Sequence, residues 1–408
     1  MSQSRAERVP AIHRGSAAEV FSAFLQLGLT SFGGPIAHLG YFQRELIERR
    51  RWMDEVHYAQ LVALCQLLPG PASSQVGFAL GLIRAGWRGA AAAFIGFTLP
   101  SALLLFAFAM FLPMLEDPIG KAALHGLKLV AVAVVAQGVL VMARRLTPDA
   151  PRALIAALSA AVVVTAGSAV VQLLVVALGA GFGLIYVRRD AASLPSSSFD
   201  LRYGARTGSL LLILFAVLLT LALVAPASGS PLWSAATAFY RSGALVFGGG
   251  HVVLPLIEEA VVAPGWVSTE DFLAGYGAAQ AVPGPLFTVA AFLGARLEGG
   301  EGGVIAATVA LLSIFLPGLL LVAGSLPFWR ALASRKSAVS AIHGVNAAVV
   351  GLLAAALYDP LWTSAVFAPS DFAIALVAFV VLAATRLSVL GVLVGCVLAS
   401  ITRVWLSN

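Results

Sequence analysis

Charged side chains are scarce in this sequence: Asp, Glu, Lys and Arg make up 11% of its 408 residues, whereas 60% of the residues are hydrophobic. A soluble domain carries about 25% charged residues, so this chain has too few charges to cover a surface that faces water. With a mean hydropathy of +0.95, the scarcity predicts an all-α, polytopic membrane protein whose first partner is the lipid bilayer. The excess of 25 Lys and Arg over 19 Asp and Glu is then expected in cytoplasmic loops, where it sets orientation, and we predict no nucleic-acid partner.

The sequence also lacks the residue patterns of metal centres and hydrolytic enzymes. Its two cysteines, Cys65 and Cys396, lie in separate apolar segments and have neither metal-ligand spacing nor an evident disulfide partner. The motifs HExxH, GxSxG and the phosphate-binding GxxxxGK[ST] are absent. We therefore predict no metal, no cofactor and no ATP-driven step, and a membrane-embedded enzyme is kept only as the alternative from another functional class.

The chain repeats itself, and Pro69-Gly70-Pro71 returns 214 positions later as Pro283-Gly284-Pro285. The other ordered matches pair Phe32-Gly33-Gly34 with Phe247-Gly248-Gly249, Trp52 with Trp266, Gln66 with Gln280, Leu99-Pro100 with Leu316-Pro317, and His125-Gly126 with His343-Gly344. Ordered matches at slowly drifting offsets indicate a duplication. The predicted organisation is an N-terminal cytoplasmic tail (1–15), a first half (16–189), a polar linker with a connecting transmembrane helix (190–229) and a second half (230–408).

Glycine and proline interrupt the apolar segments near residues 17–51, 58–83, 233–262 and 272–297. Two prolines around a glycine remove backbone donors and impose a bend, so a helix must end near Gln66 and another must begin near Pro71. In a bilayer, backbone of this kind is tolerated only where it is buried in protein or lines a wet cavity. The interruptions are therefore predicted to lie in the protein interior.

Charge placement bears on whether these segments cross the membrane or return as re-entrant hairpins. If the first two are hairpins, the N-terminus, Arg144 and Arg145 fall on one side and Glu116 and Asp117 fall on the other, as the positive-inside rule requires. The connecting helix then inverts the second half. The exceptions to this charge pattern are Lys121, Arg296 and Arg403. The predicted fold is an inverted repeat of about nine full spans plus four broken or re-entrant segments, with ten to thirteen spans as the alternative.

Inverted repeats with broken helices are typical of secondary transporters, whose substrate site lies near the midplane where the halves meet. A helix that begins at a break presents unpaired N–H groups and the positive end of its dipole. Several such starts, with hydroxyl side chains and His38 or His251 close behind, suit an oxyanion. The simpler explanation is that glycines and prolines merely kink membrane helices. This explanation is weaker when the Gly-Gly and Pro-Gly-Pro motifs both recur at matching positions of the two halves.

The predicted substrate-binding residues lie at the breaks or inside the apolar segments. They are Gly33, Gly34, Pro35, His38, Gln66, Pro69, Gly70, Pro71, Ser73, Ser74, Lys128, Gly248, Gly249, Gly250, His251, Gln280, Pro283, Gly284, Pro285, Thr288 and Asn346. Lys128 would counter the charge of a dianion, with snorkelling to the interface as the alternative, and Asn346 holds the equivalent position in the second half.

Other polar and aromatic residues have less specific roles. Arg44 and Glu45 are coupling or gating candidates, because ionisable residues at membrane depth are often functional, and an interfacial ion pair is the alternative. His125 and His343 are expected to cap or pack. Trp52 and its counterpart Trp266 are expected in the aromatic belt at the membrane interface.

In combination, these motifs resemble the chromate ion transporter family in its long, two-half form. The residues that carry the resemblance are Phe32-Gly33-Gly34-Pro35, Arg44-Glu45, Arg51-Trp52, Gln66-Leu67-Leu68-Pro69-Gly70-Pro71, Phe247-Gly248-Gly249-Gly250-His251 and Gly277-Ala278-Ala279-Gln280-Ala281-Val282-Pro283-Gly284-Pro285. The resemblance implies a secondary transporter of the bacterial inner membrane that expels chromate from the cytoplasm and confers chromate resistance. Its partners would be chromate and the lipid bilayer, and a homodimer is one assembly that the resemblance allows. Sulfate, which has the same charge and shape, or another oxyanion is the alternative substrate.

Overall fold

The computed structural model describes residues 15–32, 34–115, 117–166, 169–186, 199–224, 231–246, 253–297, 302–333, 336–385 and 387–407. Every regular element in these ranges is helical, as the composition predicts. Five predicted site residues lie outside the described ranges: Gly33, Gly248, Gly249, Gly250 and His251.

The described residues contain seventeen α-helices. In order, they are α1 (Ala17–Thr30), α2 (Gly34–Phe42), α3 (Glu55–Leu67), α4 (Ala72–Phe111), α5 (Pro118–Leu146), α6 (Ala150–Ala166), α7 (Ala169–Tyr186), α8 (Ala205–Val224), α9 (Pro231–Leu245), α10 (Val253–Val261), α11 (Thr269–Ala281), α12 (Val289–Ala295), α13 (Val304–Ser325), α14 (Trp329–Ala333), α15 (Lys336–Ala356), α16 (Pro369–Ala384) and α17 (Val389–Ser407). The long helix α4 is sharply kinked at Ala85 and Gly86, where the backbone leaves the helical region.

Helix breaks occur where the glycine and proline motifs predict them. The first Pro-Gly-Pro turn separates α3 from α4, and the second separates α11 from a 3₁₀ turn that leads into α12. Gly70 and Gly284, at the centres of these turns, have φ angles of 120° and 106°. Residues with a Cβ atom rarely adopt such angles, so both turns require glycine.

Close helix packing recurs at equivalent positions of the repeat. Gly28 of α1 lies against the backbone of Phe97 in α4, and Gly243 of α9 lies against the backbone of Ile314 in α13. The second pair follows the first by 215 and 217 positions, which are offsets of the predicted duplication. Because small residues let membrane helices approach closely, the sequence repeat corresponds to a repeated helix contact.

The chain exchanges backbone hydrogen bonds between the breaks of the two repeats. The Gly70 N–H donates to the Val246 carbonyl at 2.7 Å, and the Gly284 N–H donates to the Ser31 carbonyl at 2.9 Å. Val246 directly follows α9 and Ser31 directly follows α1, so each Pro-Gly-Pro turn is held by the first break of the other repeat. An unpaired backbone group in hydrocarbon is costly, and these bonds remove two such costs.

Within the described residues, several helices are long and apolar enough to cross a membrane by length and composition. These stretches are Ala72–Met114, Pro118–Leu146, Ala205–Val224, Val304–Ala331 and Ser340–Trp362. Shorter apolar helices are Ala17–Thr30, Ala150–Ala166, Leu174–Tyr186, Leu286–Ala295, Pro369–Ala384 and Val389–Trp405. The chain is thus an all-helical membrane protein with several apolar helices, as predicted. The count of about nine full spans and the inversion of the second half stay predictions.

The prediction that Trp52 belongs to an interfacial aromatic belt is wrong. Its side chain is only 3% exposed. The indole Nε1 donates to Glu19 Oε1 at 3.0 Å, and the Arg84 guanidinium lies 5.2 Å from the centre of the ring. Trp52 therefore joins α1 to the end of the first arm of α4, because the indole offers one polar edge and a large apolar face.

Replacing Gly344 tests the packing of α15 on α7. A Cβ atom at Gly344 would collide with the carbonyl oxygen of Gly179, whereas one at Gly181, on the same helix α7, would meet nothing within 4 Å. We expect Gly344→Ala to lower the free energy of unfolding by about 1–3 kcal/mol through overpacking. The control Gly181→Ala should equal or slightly exceed the wild type. Thermal unfolding of the detergent-purified protein measures both, and a wild-type melting temperature for Gly344→Ala would contradict this contact.

Candidate functional site

Polar side chains collect around the helix breaks in an otherwise apolar interior. Ser31, His38, Ser74, Gln75 and Thr98 are all buried. Within the described residues, six buried polar atoms near the breaks have no hydrogen-bond partner: Ser31 Oγ, Ser74 Oγ, Gln75 Oε1, Thr98 Oγ1, Gln280 Nε2 and Asn346 Oδ1. Buried polar groups are normally paired, so a cluster of unpaired ones indicates a place that receives a polar ligand or water.

His38 and Ser73, two predicted site residues, meet between α2 and α4. His38 Nδ1 lies 3.3 Å from Ser73 Oγ, and the ring of Phe97 packs edge-on against the imidazole at 5.2 Å. The His38 side chain is 1% exposed. When the Ser73 hydroxyl donates to Nδ1, the proton of the neutral imidazole is on Nε2, and the Ser31 backbone carbonyl is an acceptor near the ring.

Gln75 is a buried residue at the first break that the sequence analysis did not select. Its Nε2 donates to the Pro69 carbonyl at 2.9 Å and to the Gly318 carbonyl at 3.0 Å, so it ties the first Pro-Gly-Pro turn to α13. The position 214 residues later is Val289, which cannot make these bonds. In the sequence, the only indication of this role is an amide side chain in the first turn of an apolar helix. The structure is needed to show which carbonyl groups accept its hydrogen bonds.

The first Pro-Gly-Pro turn borders a cavity of about 140 Å³, called here the Arg145 cavity. Its lining residues are Pro35, Leu39, Cys65, Gln66, Leu68, Gly70, Ala72, Val141, Met142, Arg145, Leu146 and Asn346. Four predicted site residues therefore share one cavity: Pro35, Gln66, Gly70 and Asn346. They come from α2, α3, the turn and α15, so the helix breaks bring together residues that are far apart in the chain.

The chemistry of the Arg145 cavity suits an anion. Pro35 and Ala72 stand in the first turns of α2 and α4, and α4 has no side-chain cap on its free N–H groups. Helix starts of this kind offer backbone donors and the positive end of a dipole. Arg145 adds a full positive charge, and no carboxylate among the described residues pairs with it. Sequence reasoning assigned Arg145 to membrane topology, because an arginine in the last turn of a span is typical of a cytoplasmic end.

The residues of the second Pro-Gly-Pro turn lie elsewhere and do not line the Arg145 cavity. Thr288 is buried, and its hydroxyl donates to the Pro285 carbonyl at 2.7 Å, which closes the turn. A Cβ atom at Gly284 would lie 2.8 Å from the Ser101 hydroxyl oxygen, so this turn is packed directly on α4. Of the predicted residues here, Gln280 keeps a buried donor without a partner.

Lys128 lies in a different and larger cavity, of about 660 Å³, called here the Lys128 vestibule. Its lining residues are Leu112, Pro113, Leu115, Lys121, Leu124, His125, Lys128, Glu270, Asp271, Ala274, Arg296 and Phe367. Lys128 Nζ is 3.6 Å from Glu270 Oε1. This acidic partner comes from α11, whereas the apolar segment that contains Lys128 offers none. Since Lys128 and Arg145 are 17 positions apart on α5, about 25 Å of helix separates the two cavities.

The coupling candidates Arg44 and Glu45 line neither cavity. Arg44 is exposed, and Glu45 forms ion pairs with Arg49 and with Arg50, the latter at 2.7 Å. This placement matches an interfacial cluster, which was the alternative for these residues. His125, expected to pack or cap, has its Nε2 3.0 Å from Asp371 Oδ1, at the start of α16.

Apolar helices that are interrupted at matching positions, with a cavity beside the first Pro-Gly-Pro turn, are typical of a multi-pass membrane transporter. The profile of the chromate transporter family matches residues 18–184 and 233–401, and the chain therefore belongs to this family. Each matched segment lies within one of the halves predicted from the internal repeat. Family membership makes the protein a transporter and not an enzyme.

Named relatives cover most of the chain. It is 29% identical over 338 residues to the probable chromate transport protein of Synechococcus elongatus, which covers 82% of each chain. It is also 29% identical over 378 residues to the chromate transport protein of Pseudomonas aeruginosa, covering 86% of this chain and 83% of that one. The chromate transport protein of Cupriavidus metallidurans is 27% identical over 342 residues, with 82% and 80% covered. No solved structure matches the chain.

Proposed function

We propose that the protein is a secondary transporter that exports chromate from the cytoplasm across the inner membrane, and that the Arg145 cavity is its cytoplasmic substrate site. The observation that carries the proposal is the meeting of two helix N-termini, the Gln66 and Asn346 amides and the unpaired Arg145 in one cavity. The named relatives from Pseudomonas aeruginosa and Cupriavidus metallidurans, both chromate transport proteins, support chromate as the ion. Resistance to chromate follows from its export.

A tetrahedral dianion has four oxygens that accept hydrogen bonds, so its site needs many donors and modest positive charge. The planar fork of Arg145 can donate to two of these oxygens at once. The free N–H groups in the first turn of α4 can serve a third, and the Gln66 amide can donate to the fourth. The carbonyl oxygen of Gln66 or Asn346 must then turn away from the ion, which an amide achieves by rotation of its terminal torsion.

The proposed direction rests on charge at the ends of α5. Arg144 and Arg145 lie in its last turn, and Asp117 caps its start. The positive-inside rule favours the arginine end as the cytoplasmic one. We therefore propose that the Arg145 cavity opens to the cytoplasm and that the N-terminus is cytoplasmic. The connecting helix α8 then gives the two halves opposite orientations, the arrangement on which alternating access depends.

Uptake of radiolabelled chromate into inverted membrane vesicles tests the function. We expect accumulation that stops when the driving ion gradient, of protons or of sodium, is collapsed. Sulfate as competitor measures how well the site separates the two ions. Robust sulfate flux without chromate accumulation would keep the anion site and overturn chromate as the substrate, and the absence of flux for both ions would overturn the proposal as a whole.

Neutralising Arg145 should weaken substrate binding on the cytoplasmic face. A charged donor to a bound anion contributes about 1.5–3 kcal/mol, so we expect Arg145→Gln to raise KM for chromate about ten- to a hundredfold. Arg144→Gln removes the same charge from the same turn of α5, and both arginines are exposed, but Arg144 lies outside the cavity lining. It should leave KM within about twofold, because it has no direct hydrogen bond to the ion to lose and its distant charge is screened. Initial rates in inverted vesicles measure both, and equal KM values for the two variants would contradict the site.

Side chains at the centres of the two turns should stop transport without preventing insertion. At Gly70 a Cβ atom would lie 2.9 Å from the Gly318 backbone, and at both turns the positive φ strains any residue other than glycine. We therefore expect Gly70→Leu and Gly284→Leu to reach the membrane but to lose chromate flux. Gly40→Leu, where nothing lies within 4 Å, is the control with full flux. Wild-type flux in either turn variant would show that these turns do not shape the pathway.

A further inference from the structure

The Lys128 vestibule contains a buried cation with a weak partner. The Lys128 side chain is 12% exposed, whereas the Glu270 side chain that faces it at 3.6 Å is 85% exposed. A carboxylate that is largely in water forms only a weak ion pair, which an incoming dianion can displace but must still compete with. The neighbouring Arg296, by contrast, makes two hydrogen bonds to Asp271, at 2.9 and 2.8 Å. Lys128 is therefore more available to an anion than Arg296, and it is better shielded from water than the exposed Lys121.

A tight helix contact lies directly behind Lys128. A Cβ atom at Gly277 of α11 would lie 2.5 Å from the carbonyl oxygen of Leu127 on α5, so the two backbones touch at this point. On α11, Ala274 comes before Gly277 and lines the vestibule. Gln280 comes after Gly277 and leads into the second Pro-Gly-Pro turn. The contact thus separates the Lys128 vestibule from the polar interior around the breaks.

The equivalent region of the first half is arranged differently. By the repeat offsets of 214 and 218, the counterparts of Gly277 and Leu127 are Ala63 and Val345. Next to them, Cys65 of α3 and Asn346 of α15 both line the Arg145 cavity, so these two helices border open space where α11 and α5 touch. One cavity reaches a Pro-Gly-Pro turn and the other stops short of one.

We propose that the Lys128 vestibule is a second oxyanion-binding station, on the release side, where the ion binds Lys128 after the α5–α11 contact opens. The proposal rests on the transport function proposed above. Glu270 occupies Lys128 until the anion displaces it, so the two compete for one ammonium group. Removing Lys128 must then weaken binding on the release side, and removing the charge of Glu270 must strengthen it. Neither change should alter the Arg145 cavity, about 25 Å away along α5.

Inverted vesicles loaded with unlabelled chromate test this station, because their lumen contacts the release side. The readout is the luminal chromate concentration that gives half of the maximal change in the initial rate of labelled uptake. We expect Lys128→Asn, which installs the residue found at the equivalent position 346, to raise this concentration about tenfold, the loss of one charge-assisted hydrogen bond. Glu270→Gln should lower it several-fold, and both variants should keep the wild-type KM on the outer face of the vesicle.

Lys121→Asn is the matched control, since Lys121 is exposed and lines the same vestibule without an ion pair among the described residues. It should leave the luminal half-effect within about twofold, because an exposed charge is screened. A wild-type luminal half-effect in Glu270→Gln, whose exposed side chain makes folding failure no explanation, would overturn the station. A shift in the outer-face KM of Lys128→Asn would also overturn it, because Lys128 would then belong to the cytoplasmic site. Failure of the proposed function is distinct: the wild type itself would take up no chromate.

Discussion

The structure depends on how broken backbone is satisfied inside a membrane. Each Pro-Gly-Pro turn interrupts a helix and leaves peptide groups that water cannot reach, and the Gly70 and Gly284 N–H groups find their acceptors at Val246 and Ser31. These acceptors belong to the breaks of the opposite repeat, so neither half can complete its own turns. The consequence is a frame in which the two halves are held together at the place where polar groups are concentrated.

The backbone groups of the two turns are hydrogen-bonded, but several side chains next to the breaks are not. The backbone bonds use the carbonyls of Ser31 and Val246, but the buried Ser31, Ser74 and Thr98 hydroxyls keep no partner. Only a ligand or water can supply one in an apolar interior. The helix starts add dipoles of the same sign, and Arg145 lines a cavity that reaches the first Pro-Gly-Pro turn. An oxyanion therefore complements the hydroxyl groups, helix N-termini and arginine that lie beside the helix breaks.

The two repeats share the positions of their Pro-Gly-Pro breaks and differ in their charged residues. Lys128 and Asn346 occupy equivalent positions, yet one faces a vestibule with Glu270 and the other lines the Arg145 cavity. Equivalent helices also differ in contact, since α11 touches α5 while the Arg145 cavity lies between α3 and α15. A transporter that alternates between two accesses needs such a difference in any single state, and the unequal charges would make the two sides bind the ion differently.

Much of the fold could be predicted from the sequence, because its determinants are local. The composition identifies a membrane protein, and the glycine and proline motifs locate the breaks at Gly70 and Gly284 to within a residue or two. Partners that are distant in the chain could not be predicted, because helix packing decides them: Gln75 reaches Gly318 of the other repeat, and the buried Trp52 donates to Glu19. For the same reason, Arg145 could be read only as a topology signal until the cavity beside it was known.

The most direct test is to determine the structure of the protein with chromate bound and to locate the chromium. We expect the ion in the Arg145 cavity, within hydrogen-bonding distance of the Arg145 guanidinium and of the first-turn N–H groups of α4. An ion held instead against Thr288 and the second Pro-Gly-Pro turn, with the Arg145 cavity empty, would contradict it.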